Sequence, residues 1–235
     1  MTPSISLVQD HPLFGLLLTV LAYSAALRIW RRFGMPALSH PVLVATALIA
    51  LTLFATDLSY EAYFAQTSLL NEALAVVIVL LAVPLSRQMH LIVEAGHPIA
   101  LTLLAGSVVA IMTALALPYA FGAEDHLIAA LAPKSATAAV AVGIAEKLGG
   151  PAGLTAVVVI STGIFGGIFG PTILAAAGVE DDRAKGFALG VASHAIGTAR
   201  ALQISDVAGA FASLGMILNA LLTTALVPIA IALMR

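Results

Sequence analysis

Residues 125–147 read DHLIAALAPKSATAAVAVGIAEK, and the lysine inside this apolar run decides how the rest of the chain is read. Lys134 stands halfway between Asp125 and Glu146. At about 1.5 Å per residue, a helix would carry it close to a bilayer midplane. A lysine there costs several kcal/mol by insertion scales and points to function. Pro133 removes a backbone donor just before it, and Ser135 and Thr137 follow. The pattern predicts a broken helix whose second half starts near Ser135. Its free N–H groups and positive dipole end would suit a carboxylate. The alternative is a lysine that snorkels to an interface, or an ordinary loop between short helices.

The surrounding composition makes lipid the solvent. Of 235 residues, 61% are hydrophobic and 9% charged, against about 25% charged in a soluble protein. A net charge of −2 excludes bulk attraction to nucleic acid. There is no cysteine, so disulfides, thiolate metal sites and thiol nucleophiles are excluded. Charge-free stretches mark six spans, roughly 12–30, 38–56, 69–86, 98–121, 152–176 and 207–233. With the interrupted segments 125–147 and 184–204, the expectation is an all-α integral membrane protein. It has about seven to eight transmembrane segments, two of them broken or re-entrant helices in the second half. The short loops predict one membrane domain over 1–235.

The first span does not read as a signal peptide, since Asp10 precedes it and nothing positive stands before it. His11-Pro12, His40-Pro41 and His97-Pro98 read as interfacial span starts. Arg28, Arg31, Arg32 and Arg87 assign their loops to the cytoplasm, and Asp57, Glu61, Glu124 and Asp125 lie opposite. Lys147 falls inside if 125–147 crosses fully, which puts the Glu180–Arg183 loop and Arg235 outside. One re-entrant segment reverses the Arg235 placement. Pro84 is expected to kink the inner end of the third span, and Pro171 to kink or end the fifth.

The segment 184–204, AKGFALGVASHAIGTARALQI, carries His194 in a charge-free stretch from Gly186 to Ala199. Ser193, Gly197 and Thr198 surround it, and Gly197 would allow unwinding. Histidine titrates near neutral pH, so His194 is either a proton carrier or a hydrogen-bonded packing residue. Arg200 is a second substrate cation or a headgroup anchor. Between the two segments, Gly163, Gly166, Gly167 and Gly170 form small-xxx-small pairs that suit tight helix packing. Asn219 reaches the site or makes an interhelical hydrogen bond. No H-E-x-x-H, GxSxG, P-loop or dinucleotide fingerprint is present. An enzyme is not expected, and no cofactor or metal is.

The stretches PKSATAAVAVGIAEKLGG (133–150), LTAVVVISTGIFGGIFGP (154–171), AKGFALGVASHAIGTARAL (184–202) and GAFASLGMILNALLT (209–223) resemble the LrgB/CidB family of bacterial membrane proteins. The family also includes the membrane half of a plastid glycolate/glycerate translocator. Its Pro-Lys-Ser motif falls on Pro133, Lys134 and Ser135, and its Ser-His-Ala-Ile-Gly-Thr-Ala motif on Ser193 through Ala199. Its following basic residue falls on Arg200. Where the family often has Gly-Pro-Ala in span three, this chain has Ala75-Val76-Val77, and Ala138-Ala139-Val140 replace a second proline.

The resemblance implies a multi-pass protein of the bacterial inner membrane. It implies a secondary carrier of glycolate, glycerate, lactate or pyruvate, or an antiholin/holin-like regulator of murein hydrolases. Substrate contacts are expected from Lys134, Ser135, Thr137, Ser193, His194, Gly197, Thr198, Arg200 and Asn219, with His194 coupling H+; Na+ is the alternative ion. Expected partners are the lipid bilayer, a small LrgA/CidA-like membrane protein and a second copy in a homodimer.

Overall fold

The computed structural model describes residues 11–33 and 41–234. Among these every regular element is a helix, as an apolar chain needs when lipid cannot satisfy its backbone. Arg235, His40 and the start of the second span lie outside the described residues. The chain clusters into two compact units, residues 1–80 and 81–235.

In the first unit, α1 (Phe14–Arg32) and α2 (Pro41–Thr56) pack through Ala22, Ala26 and Ala45. Pro12 lies in the turn before α1 and is not its first helical residue. A short α3 (Tyr60–Ala65) is capped by Ser59, whose hydroxyl accepts the Ala62 N–H at 3.2 Å. Gln66 then accepts the Gly15 N–H at 2.9 Å, which satisfies an orphan donor in the first turn of α1.

The third span is not one helix. α4 (Ser68–Leu80) runs unbroken through Ala75-Val76-Val77 but stops at Leu80. α5 (Ala82–Arg87) and α6 (Met89–Glu94) follow as two short pieces. Pro84 explains the stop, because a continuous helix would drive its ring against the Leu80 carbonyl. At the third position of α5 its missing N–H costs nothing.

The second unit holds three helices long and apolar enough to cross a membrane: α7 (Gly96–Ala120), α10 (Ala152–Ala176) and α12 (Asp206–Met234). Pro171 does not end α10, which continues five residues beyond it. Between them lie the two interrupted segments, and each folds back on itself.

The first comprises α8 (Asp125–Leu131), the linker 132–137 and α9 (Ala138–Lys147). Ile128 and Ala132 share an apolar cluster with Ile144 and Leu148. A Cβ on Gly150 would stand 2.8 Å from the Ala130 nitrogen. A chain crossing straight through would hold those two residues about 30 Å apart. We call this re-entrant segment hairpin one. The condition for placing Lys147 across the membrane from Asp125 is therefore not met. The returning arm also starts at Ala138, three residues later than the sequence suggests, with Thr137 in the extended N-cap conformation.

The second is α11 (Asp182–Leu202), broken at His194 with φ 42° and ψ −130°. The Ser205 hydroxyl donates to Asp182 at 2.7 Å, so the segment ends where it began. A Cβ on Gly197 would run into the Leu189 carbonyl, eight residues back, whereas eight residues of straight helix span about 12 Å. This is hairpin two, with arms 182–193 and 195–202. α12 then runs parallel to its first arm: Gly186 lies against the Ala208 backbone and Gly190 against that of Ala212. No side chain larger than hydrogen fits at either glycine.

The hairpins enter from opposite ends of α10. Hairpin one has its base at the start of α10. Hairpin two has its base beyond the end of α10, with Leu189 against Leu174 and its tip at Val159 and Gly163, near the helix centre. The Glu180–Arg183 loop therefore lies at the end opposite Asp125, contrary to the expectation that both face outside. Arg183, Lys185 and Arg200 gather at that end and Lys147 at the other.

Candidate functional site

The site is built from two chain reversals. Reversing a helix inside lipid leaves carbonyls at the end of the first arm and N–H groups at the start of the second without helical partners. Hairpin one spreads its reversal over 132–137. Lys134 N–H donates to Leu131 O at 3.1 Å and Ala136 N–H to Pro133 O at 2.9 Å. Pro133 and Ser135 are buried, while Lys134 and Thr137 are half-buried. Among the described residues no acceptor meets the Lys134 Nζ. Thr137 caps α9 only with its carbonyl, which accepts the Ala141 N–H at 2.8 Å.

Hairpin two makes its reversal at one residue. Ser193, His194 and Thr198 are all at most 4% exposed. The His194 Nε2 lies 3.0 Å from Val159 O. A carbonyl only accepts, so Nε2 carries the proton and Nδ1 is the free basic nitrogen of the neutral ring. Thr198 donates its hydroxyl to His194 O at 2.9 Å. The glycine face of α10 seals the tip. A Cβ on Gly163 would sit 2.5 Å from the His194 ring, and one on Gly166 would coincide with the Ser193 hydroxyl. The small-xxx-small spacing is thus a packing device, and it packs against the reversal itself. Beside it lies a cavity of about 440 Å³ lined by Gly166, Gly170, Leu189 and Ser193 with Phe165 and Phe169. Neither Lys134 nor His194 is among its walls.

The two tips meet at Asn219 of α12, which is 1% exposed. Its Nδ2 donates to Ser135 O at 2.9 Å and to Val191 O at 3.2 Å, so those carbonyl oxygens are at most about 6 Å apart. Its Oδ1 accepts the Ser107 hydroxyl of α7 at 2.6 Å. Both amide hydrogens are engaged, so Asn219 has no donor left for a solute while the tips are closed. Arg200 stands apart from this group. It lies at the base of the returning arm and donates to Gln203 at 2.8 Å.

The structure therefore gathers Lys134, Ser135, Thr137, Ser193, His194, Gly197 and Thr198 on two opposed tips, joined through Asn219, and leaves Arg200 outside. Sequence reasoning missed Ser107 and the Val159 carbonyl. A lone serine in an apolar helix and a backbone oxygen carry no local signal. Two returning arms begin at the tips, so two sets of helix N-terminal N–H groups and Lys134 supply positive potential in the middle of an apolar protein.

Residues 19–233 match the family model described as LrgB-like family. The chain is 39% identical over 207 residues to "Uncharacterized protein YxaC" of Bacillus subtilis (strain 168), covering 88% of this chain and 90% of that protein. It is 36% identical over 221 residues to "Holin-like protein CidB" of Staphylococcus aureus (strain Mu50 / ATCC 700699), covering 94% and 96%. It is 31% identical over 220 residues to "Uncharacterized protein YwbG" of Bacillus subtilis (strain 168), covering 94% and 97%. No solved structure matches.

Proposed function

The chain belongs to the LrgB-like family, and on that premise we propose that it is a secondary carrier of small 2-hydroxy or 2-oxo monocarboxylates in the bacterial cell membrane. Glycolate, glycerate, lactate and pyruvate share the required chemistry: one carboxylate beside one further oxygen. The observation that carries the reading is the meeting of two re-entrant tips from opposite ends of α10. Carriers use broken helices in this way, with half-helix N-termini for the anion and a site opened to each side in turn.

In this reading the Lys134 ammonium and the amides that open α9 take the carboxylate. The Ser193 hydroxyl and the start of the 195–202 arm take the second oxygen. Ser135, Thr137, Gly197 and Thr198 shape the tips. A second proton enters His194 at Nδ1, since Nε2 already donates to Val159 O. A charged imidazole inside an apolar protein is costly without an anion, so proton and carboxylate favour each other's binding. Na+ held by tip carbonyls is the alternative coupling. The reaction is movement without covalent chemistry, so the protein is not proposed as an enzyme.

Radiolabelled pyruvate or glycolate flux into proteoliposomes tests the reading. Wild-type protein should accumulate label under an inward pH gradient, and Lys134→Ala should not. No flux of any of the four acids under either a proton or a sodium gradient would reject the carrier.

A second reading is favoured by the Staphylococcus relatives, which are named holin-like proteins: we propose as the alternative a holin-like or antiholin-like membrane regulator of murein hydrolase activity and lysis. Helix faces with Phe165 at 65% and Ile173 at 63% exposure could support assembly, either as a homodimer or with a small LrgA/CidA-like protein. This reading gives no use to Lys134 or to the paired reversals. It predicts altered lysis and leakage of unrelated solutes, with no saturable monocarboxylate flux.

A further inference from the structure

The reversals in hairpins one and two each leave a carbonyl needing a donor, and one side chain serves both. Ser135 lies in the linker of hairpin one. In hairpin two, the turn at His194 carries the chain away from the helical path that would bring the Ala195 amide to Val191 O. The two hydrogens of the Asn219 amide fill these two places. Its orientation is unambiguous. A flipped amide would aim Oδ1 at two carbonyl oxygens and its NH2 at the Ser107 hydroxyl, breaking both donor contacts. The Ser107 hydroxyl, fully buried, holds that orientation from the opposite side at 2.6 Å.

We propose that Asn219 is a two-way lock that holds the tips of both hairpins closed together, and that Ser107 is the positioning residue that keeps its amide turned toward them. Neither tip leaves Asn219 without exposing an unsatisfied carbonyl in an apolar interior. Because one rigid amide makes both bonds, disturbing its plane loosens the two hairpins together, although they come from opposite ends of α10. The lock does not depend on the carrier reading, and its test contains no transported solute.

The chain has no cysteine, so single-cysteine labelling reads each tip separately. Thr137→Cys reports on hairpin one and Ala195→Cys on hairpin two. Each is placed in full-length protein in lipid vesicles and labelled with a membrane-impermeant maleimide. Asn219→Leu keeps nearly the same volume and removes both donors. It should speed labelling at both tips roughly fivefold, the factor one net hydrogen bond gives in an opening equilibrium. Ser107→Ala should speed both by a smaller factor, and Ser107→Thr should restore the wild-type rate. Thr155→Val controls for general loosening, because Thr155 is equally buried and bonds only its own helix, at Pro151 O. If Asn219→Leu fails to fold, the Ser107 pair alone decides. Acceleration at one tip only, no acceleration, no rescue by threonine, or equal acceleration by Thr155→Val would each overturn the lock.

Discussion

The two hairpins do the same job by different means. Hairpin one reverses over six residues, 132–137, none of them at positive φ, with a proline at the turn and a half-buried lysine at the tip. Hairpin two reverses at His194, a non-glycine residue at φ 42°, with no proline and a buried tip. Such a conformation costs about 1–3 kcal/mol and persists only where the surroundings impose it. Hairpin one is therefore shaped by its own backbone, and hairpin two by the glycine face of α10 pressed against it. The first should tolerate changes around it, and the second should not.

The largest expected effect comes from the glycines that seal hairpin two. Gly166→Val puts a branched side chain where the Ser193 hydroxyl lies. It should cost about 3 kcal/mol or more, as overpacking at a site that cannot relax. Gly143, in the returning arm of hairpin one, has open space around it. Gly143→Ala should instead stabilise by about 0.5–1 kcal/mol, the ordinary helical gain. Thermal unfolding of both variants in detergent, followed by size exclusion, checks the pair. A Gly166→Val protein as stable as wild type would break the contrast.

The next effect is functional. Lys134→Ala removes the charge at the tip of hairpin one and should abolish monocarboxylate uptake with melting nearly unchanged. His194→Gln keeps a donor for Val159 O but cannot titrate. It should retain substrate-for-substrate exchange and lose the rise in uptake between about pH 8 and pH 6, around the reference histidine value of about 6.5. Flux in proteoliposomes at a series of external pH values measures both. Normal uptake by Lys134→Ala, or an unchanged pH profile in His194→Gln, would reverse the roles given to the two tips.

The same contrast explains what could be read from sequence. Proline is a local signal, so the break at Pro133 was legible, and so was the charge-free stretch around His194. The reversal at His194 was not, since its neighbours Ser193 and Ala195 permit an ordinary helix. Gly197 in sequence suggests a place to unwind, but it is the point where the returning arm presses on Leu189. Whether a segment crosses or returns is set by contacts such as Gly186 with Ala208 and Gly150 with Ala130, far apart in sequence. A hydropathy pattern is the same for both outcomes. The stop at Leu80 was half-legible: Pro84 announced a kink, while the full break depends on the carbonyl four residues earlier.

The smallest expected effect lies at the hairpin bases. Hairpin two is closed by a polar clamp, in which Asp182 accepts from Ser205 at 2.7 Å and from Lys185 at 3.2 Å. The Ser205 hydroxyl and then the Lys185 ammonium hold the Asp182 carboxyl below its ordinary value of 3.8. A folded-state value below the unfolded one means the clamp contributes fully above pH 3.8. That contribution fades as pH falls through the lowered value. The group is more than a third exposed, so solvent screening leaves only a few tenths of a kcal/mol. Ser205→Ala should lower the melting temperature slightly at pH 7, and the gap should close in acid, below pH 3.8. Hairpin one has no titratable group in its contact between Gly150 and Ala129–Ala130. Gly150→Ala should therefore destabilise by the same amount at both pH values. If the Ser205→Ala gap persists in acid, its origin is the bond from Ser205 to the Ala208 N–H at 3.1 Å. The base of hairpin two would then be a helix cap and not a carboxylate clamp.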